Sequence, residues 1–74
     1  MLWFMNLLEL VQKAEPLRGQ KCEIITIYDS SYIGILTKIE IDRVTSAVRL
    51  IMLIDNEKKC FFFNKVKSIN PITE

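Results

Sequence analysis

The sequence predicts a mostly β domain: one amino-terminal α-helix over about residues 3–15, then a strongly bent five-stranded antiparallel small barrel over about residues 20–70. Three observations predict it. Apolar residues recur first at helical spacing and then, past Gly19, at the spacing of strands. The strand-like runs are short and are divided by turn chemistry. No linker, internal repeat or low-complexity run interrupts the 74 residues, so residues 1–74 read as one domain.

The helix is predicted from Phe4, Leu7, Leu8 and Val11, which form one stripe that Leu10 widens and Trp3 flanks. Pro16 limits it, because the residue before a proline avoids helical angles. "PLRGQ" follows as a short turn pivoting on Gly19. "KCEIITIYDSS" is the first strand, rich in β-branched and aromatic residues, and it ends in the turn signal Asp29-Ser30-Ser31. In "YIGILTKIEID" the alternation assigns Ile33, Ile35, Ile39 and Ile41 to one face, with Lys38 and Glu40 on the other. Gly34 inside that strand marks a bend, a bulge or a close backbone approach. After the weaker break "RVTS", "AVRLIMLI" is the third strand, apolar on both faces from Leu50 to Ile54. "DNEK" is a tight connection in which Asn56 is the best candidate for positive φ. "KCFFF" and a short strand around "KVKSI" complete the set before Pro71.

The tract from Cys60 to Phe63 raises a question of its own. In an extended segment it places large apolar groups on both faces, and a chain of this size has little material to cover the second. Core packing beneath the helix, a subunit boundary and base stacking are the three uses open to Phe61, Phe62 and Phe63. Trp3 and the "MLWFM" start divide similarly between a helix packed over an open barrel end and an apolar patch for a partner.

Composition narrows the function classes. There is no histidine for general acid–base work near neutral pH, no Gly-rich phosphate loop, and no Cys-x-x-Cys pair. Cys22 and Cys60 lie in strand patterns among apolar neighbours, where cysteine is usually an inert core residue; one bridge between them stays open. The sequence therefore predicts a non-enzymatic protein without metal or cofactor. Net charge is +1, with Lys58, Lys59, Lys65 and Lys67 grouped near the end. The opening apolar run is too short to span a bilayer and lacks a basic leader, so a cytoplasmic protein with reduced thiols and no membrane partner is expected. Small domains often gain stability by associating, which makes oligomerisation or partner binding the expected supplement.

The order of elements resembles the Sm and Sm-like (LSm) small-barrel superfamily, a relative of SH3-like barrels. "RGQKCEIITIYDSSYIGILTKIEID" resembles the first half of the Sm motif. Gly34 matches the family's strand-bending glycine, and Leu36 and Ile39 match apolar positions after it. "FFFNKVKSI" resembles the second half. Its ending is similar both to the bacterial Sm-like RNA chaperone and to small Sm-like inhibitors of the Rho transcription terminator. The sequence departs from the family at its RNA contacts: Glu40 stands at the usual aspartate, Val44 near the loop asparagine, and Phe63-Asn64 in place of Arg-Gly.

The resemblance implies a homo-oligomer, in the family a ring, whose subunits join by pairing the fourth strand of one with the fifth of the next. Phe61, Phe62, Phe63 and Val66 are then the candidate interface. It also implies single-stranded RNA at one rim, where Arg43 from the loop of Asp42, Thr45 and Ser46 would meet Asn64, Lys65 and Lys67. Lysine–phosphate contacts would give affinity without sequence choice. The alternative is a module of the same fold that binds a protein partner and no nucleic acid.

Overall fold

The computed structural model describes residues 7–72. The expected start of the helix at residues 3–6, with Trp3 and Phe4, lies outside the described residues. The chain is mostly β, with one amino-terminal helix followed by five antiparallel strands. Helix α1 (Leu7–Ala14) runs into a 3-10 helix (Glu15–Leu17) and is followed by β1 (Lys21–Thr26), β2 (Ser31–Ile41), β3 (Val48–Ile54) and β4 (Glu57–Phe62). A second 3-10 helix (Phe63–Lys65) then leads to β5 (Val66–Pro71). The five strands form one sheet in the order β4-β3-β2-β1-β5. The sheet is bent but not closed. Its two edges are β4, paired with β3, and β5, paired with β1.

Helix α1 consists largely of good helix formers, with Glu9 in the first turn and Lys13 in the last, as the helix dipole favours. Eight residues are too few to be stable alone. Packing holds them: Leu10 and Ala14 are buried, and Leu17 joins them from the 3-10 helix that Pro16 opens. The buried stripe is therefore rotated from the predicted one. Leu8 is exposed and Val11 only half-buried, because α1 lies over the sheet on its Leu10–Ala14 side. Lys13 Nζ ties the helix to β5 through Asn70 Oδ1 at 2.9 Å.

Gly19 has φ +81°, a backbone conformation costly for other residues. There its N–H donates to the Leu36 carbonyl at 2.6 Å, and Leu36 N–H returns a bond to Gln20. These bonds prolong the β1–β2 ladder, whose inward side chains Cys22, Ile24 and Leu36 are fully buried.

Strand β2 does not keep one face throughout. Between Leu36, opposite Met52, and Lys38, opposite Ile51, the register shifts and Thr37 is an extra residue. Such a bulge reverses the alternation. Before it, Tyr32 and Leu36 face the core, and Ile33 and Ile35 point outward, 48% and 43% exposed. After it, Ile39 packs on the core. The predicted common face of Ile33, Ile35, Ile39 and Ile41 is thus split in two. Gly34 fills the expected role of a close approach: a side chain there would run into the Leu53 carbonyl and, at 2.8 Å, Ile54 Cγ1.

Asp55 and Asn56 both have positive φ, 51° and 65°, as a two-residue hairpin turn requires. Strand β4 then sends its side chains alternately in and out. Phe61 enters the core, 8% exposed, with its ring centroid 5.1 Å from that of Tyr32. Phe62 points outward and is 50% exposed. The chain turns into the second 3-10 helix at Phe63, which packs half-buried against the core. The phenylalanine tract is therefore covered by bending and not by extending. Cys60, expected in the interior, is exposed because it faces outward on an edge strand; Cys22 is buried, and both thiols are free.

Candidate functional site

The loop between β2 and β3 is built by Asp42. Its carboxylate Oδ1 accepts the N–H groups of Val44 at 2.9 Å and Thr45 at 3.4 Å, while its own N–H donates to the Ala47 carbonyl at 2.8 Å. The two backbone donors hold the Asp42 carboxyl below its ordinary range. Thr45 Oγ1 accepts from Ala47 N–H, and Ser46 takes a φ of 60° to close the loop. Arg43 and Val44 are left at the exposed tip.

This loop meets the end of β4. A cleft of about 300 Å³ opens between them, lined by Ser46, Ala47 and Val48 on one side and Phe62, Phe63 and Asn64 on the other. Its wall is aromatic and its rim polar, with the Asn64 side chain able both to donate and to accept. Beside it, Arg49 is paired in register with Phe62 and held by Glu40 at 2.9 Å; Lys38 shares that carboxylate at 3.3 Å. A second cleft of about 460 Å³ shares Ser46 and Val48 with the first and continues between Ile41 and the Leu8 and Val11 side of α1. It is largely apolar.

The sequence candidates for RNA contact separate into two groups. Asn64 lines the first cleft, and Arg43 belongs to the loop on its far side. Lys65 and Lys67 do not join them. The second 3-10 helix carries the chain across to the turn between β1 and β2, at the other end of β2. There Lys65 Nζ donates to Tyr28 Oη at 3.2 Å and lies 5.6 Å from the ring centroid, and Lys67 Nζ pairs with Asp29 Oδ1 at 2.9 Å. The interface candidates separate too. Phe61 and Val66 are core residues, whereas Phe62 is at the surface, with Phe63 half-buried beside it.

Sequence reasoning missed Ala47 and Val48 in the first cleft, Leu8 and Ile41 in the second, and Tyr28. The signal for Tyr28 was its place directly before Asp29-Ser30-Ser31, where a strand's last aromatic is carried out of the sheet. Chemistry by the thiols finds little support. Burial raises the Cys22 pKa, with a smaller opposing effect from a Leu36 backbone hydrogen bond, so its nucleophilic thiolate is disfavoured. No three metal-ligating side chains gather among the described residues, and no described helix is long and apolar enough to cross a membrane.

Compared with known proteins, the chain matches no family model, no curated protein and no solved structure.

Proposed function

We propose that this chain is a divergent Sm-like protein, cytoplasmic and non-enzymatic, which self-associates through its sheet edges and binds single-stranded RNA. The carrying observation is the first cleft. It forms where the two loops that the Sm resemblance assigns to RNA come together, and it offers Phe62 and Phe63 for stacking and Asn64 for hydrogen bonds to a base edge. Specific RNA recognition by proteins commonly uses that combination on unpaired bases. Arg43 at the loop tip adds a group for phosphate or stacking. The departures from the family's RNA residues imply a base preference other than the ordinary uridine pocket.

Self-association is supported by the strand order. Both β4 and β5 have one neighbour, which leaves a row of free backbone groups on each edge. Joining β4 of one copy to β5 of the next would satisfy both rows. Size-exclusion chromatography with light scattering, followed by anisotropy of fluorescent U-rich, A-rich and mixed strands, tests the reading. Asn64→Ala and Arg43→Ala should each weaken binding of an assembled protein. Equal binding by both variants would remove the cleft from the site, and failure of every strand at low salt would remove RNA.

The second cleft favours one further reading, a protein-interaction module of the same fold. Its walls, Leu8, Val11, Ile41 and Val48, would accept apolar side chains and give nucleic acid nothing to pair with. This reading leads if no strand binds.

A further inference from the structure

The turn between β1 and β2 is built more firmly than a connecting turn needs to be. Thr26 is the one buried polar side chain among the described residues, and its Oγ1 accepts the N–H groups of Tyr28 and Ser30, each at 3.3 Å. The Thr26 backbone completes the frame, donating to the Ser30 carbonyl and accepting from Asp29 N–H, both at 2.9 Å. Ile27 N–H donates to the Lys65 carbonyl at 3.0 Å and fastens the turn to the second 3-10 helix. All this order presents a large apolar ring to solvent: Tyr28 is 69% exposed. Two lysines from a distant part of the sequence converge on it, Lys65 at the hydroxyl end of the ring and Lys67 at Asp29. The Lys67–Asp29 pair is itself open to solvent, so its ammonium can exchange partners at little cost. At the start of β2 a lysine also lies near a tyrosine ring, Lys59 Nζ 5.2 Å from the centroid of Tyr32, but that ring packs against the core, which leaves Tyr28 as the exposed one.

We infer that this turn is a second contact for single-stranded nucleic acid, with one base stacked on Tyr28 and the neighbouring phosphates held by Lys65 and Lys67. An exposed ring fixed in place and flanked by ammonium groups is the arrangement that binds unpaired strands with little regard to sequence. The inference rests on the RNA reading above and extends it. The first cleft would choose a base, and the turn would hold the strand at the opposite end of β2. That division explains why the lysines are not at the cleft.

Short fluorescent U-rich RNA, and its DNA counterpart, are the probes. Tyr28→Ala should weaken RNA binding about five-fold or more, the loss of one stacked base. Tyr28→Phe should bind like the wild type, since the ring is kept. Lys65→Ala with Lys67→Ala should flatten the salt dependence by about 0.7 for each phosphate that is no longer neutralised. Equal loss with the DNA strand identifies a contact made to base and phosphate alone; a loss confined to RNA adds the ribose hydroxyl to it. If the wild type binds and Tyr28→Ala binds equally well, the second contact is wrong and the cleft reading stands. If Tyr28→Phe loses as much as Tyr28→Ala, the ring does not stack and the inference fails. If the wild type binds no strand, both readings fall together. The aromatic proton shifts of Tyr28 during titration give an independent check, because a stacked base must move them.

Discussion

Gly34 is the position where the backbone leaves least choice. A methyl group there meets the Leu53 carbonyl, a ladder group of β3 that cannot retreat without breaking the sheet. Gly34→Ala should therefore cost about 1–3 kcal/mol, the range for overpacking a tight site, read as a lower urea midpoint with an unchanged slope. An unchanged midpoint would mean that the two strands lie further apart in solution. The two cysteines make an equally direct pair. Cys60 should react with a thiol reagent at once in the native protein, and Cys22 only on unfolding, because burial disfavours its thiolate. Rapid loss of both thiols would contradict the buried position of Cys22. Asp42 carries the acid dependence of its loop. Two backbone donors favour its ionised form, so its pKa in the folded chain is lower than in the unfolded one. The unfolded state then takes up the proton first as pH falls. Stability linked to Asp42 is complete above its ordinary value of 3.8 and is lost below it, as pH passes through the lowered folded value. A carboxyl titration by NMR should place the midpoint under 3.8. Asp42→Asn, which keeps an acceptor at that place, should remove the dependence.

The elements show what period and turn chemistry can and cannot foretell. Helix, five strands and their order were legible because each breaker has a local cause: Pro16 and Gly19, Asp29 with the serines, Asp55-Asn56. Which face of an element is buried was less so. An extra residue in β2 leaves every side chain's polarity untouched and yet reverses what faces the core, so the run of isoleucines read as one stripe. Helix α1 was ambiguous for a related reason. Leu8, Leu10 and Val11 spread over nearly half of its circumference, and only the sheet decides that Leu10 goes inward. The cleft was half legible, since its loops could be located from the turns but not the path of the second 3-10 helix, which parts Asn64 from Lys65. The bulge gives the sharpest test at this scale. Thr37 Oγ1 donates to the Ile51 carbonyl at 3.1 Å, a bond that Thr37→Val would remove for about 0.5–1.5 kcal/mol. Deleting Thr37 is a different matter. It would restore simple alternation with Leu36 and Ile39 still facing the core and Lys38 and Glu40 still outward, but it would remove the local bend that the bulge gives the strand. The deletion should therefore keep a cooperative thermal transition seen by circular dichroism and lower its midpoint more than Thr37→Val does. A deletion variant that melts like the wild type would show that the sheet does not depend on the bend.

At the scale of the whole molecule the open sheet governs what the chain does next. One side of the bend is filled by α1 and the core, but β4 and β5 keep unpaired backbone edges, and the outward face holds Ile33, Ile35 and Phe62 in partial contact with water. Natural sheets protect such edges with charge, proline or a partner. Here β4 has Lys58 and Lys59 at its start, and β5 has Pro71 at its end, so the guarded portions are the outer ones. The stretch from Cys60 to Phe62 has no such guard. Phe61 and Phe62 thus make opposite predictions from adjacent positions. Phe61→Asp would bury a carboxylate among Tyr32 and the core residues and should leave no folded protein by circular dichroism. Phe62→Asp changes a half-exposed side chain, so the fold should survive. If subunits join along β4, the new charge would stand in the joint, and light scattering should report a folded monomer where the wild type gives an assembly. A wild type that elutes as a monomer at high micromolar concentration would sink the edge-joining proposal and leave Phe62 to the cleft alone. An assembly that persists in Phe62→Asp would instead move the joint off this part of β4, and the groove between α1 and Ile41 would be the next surface to change.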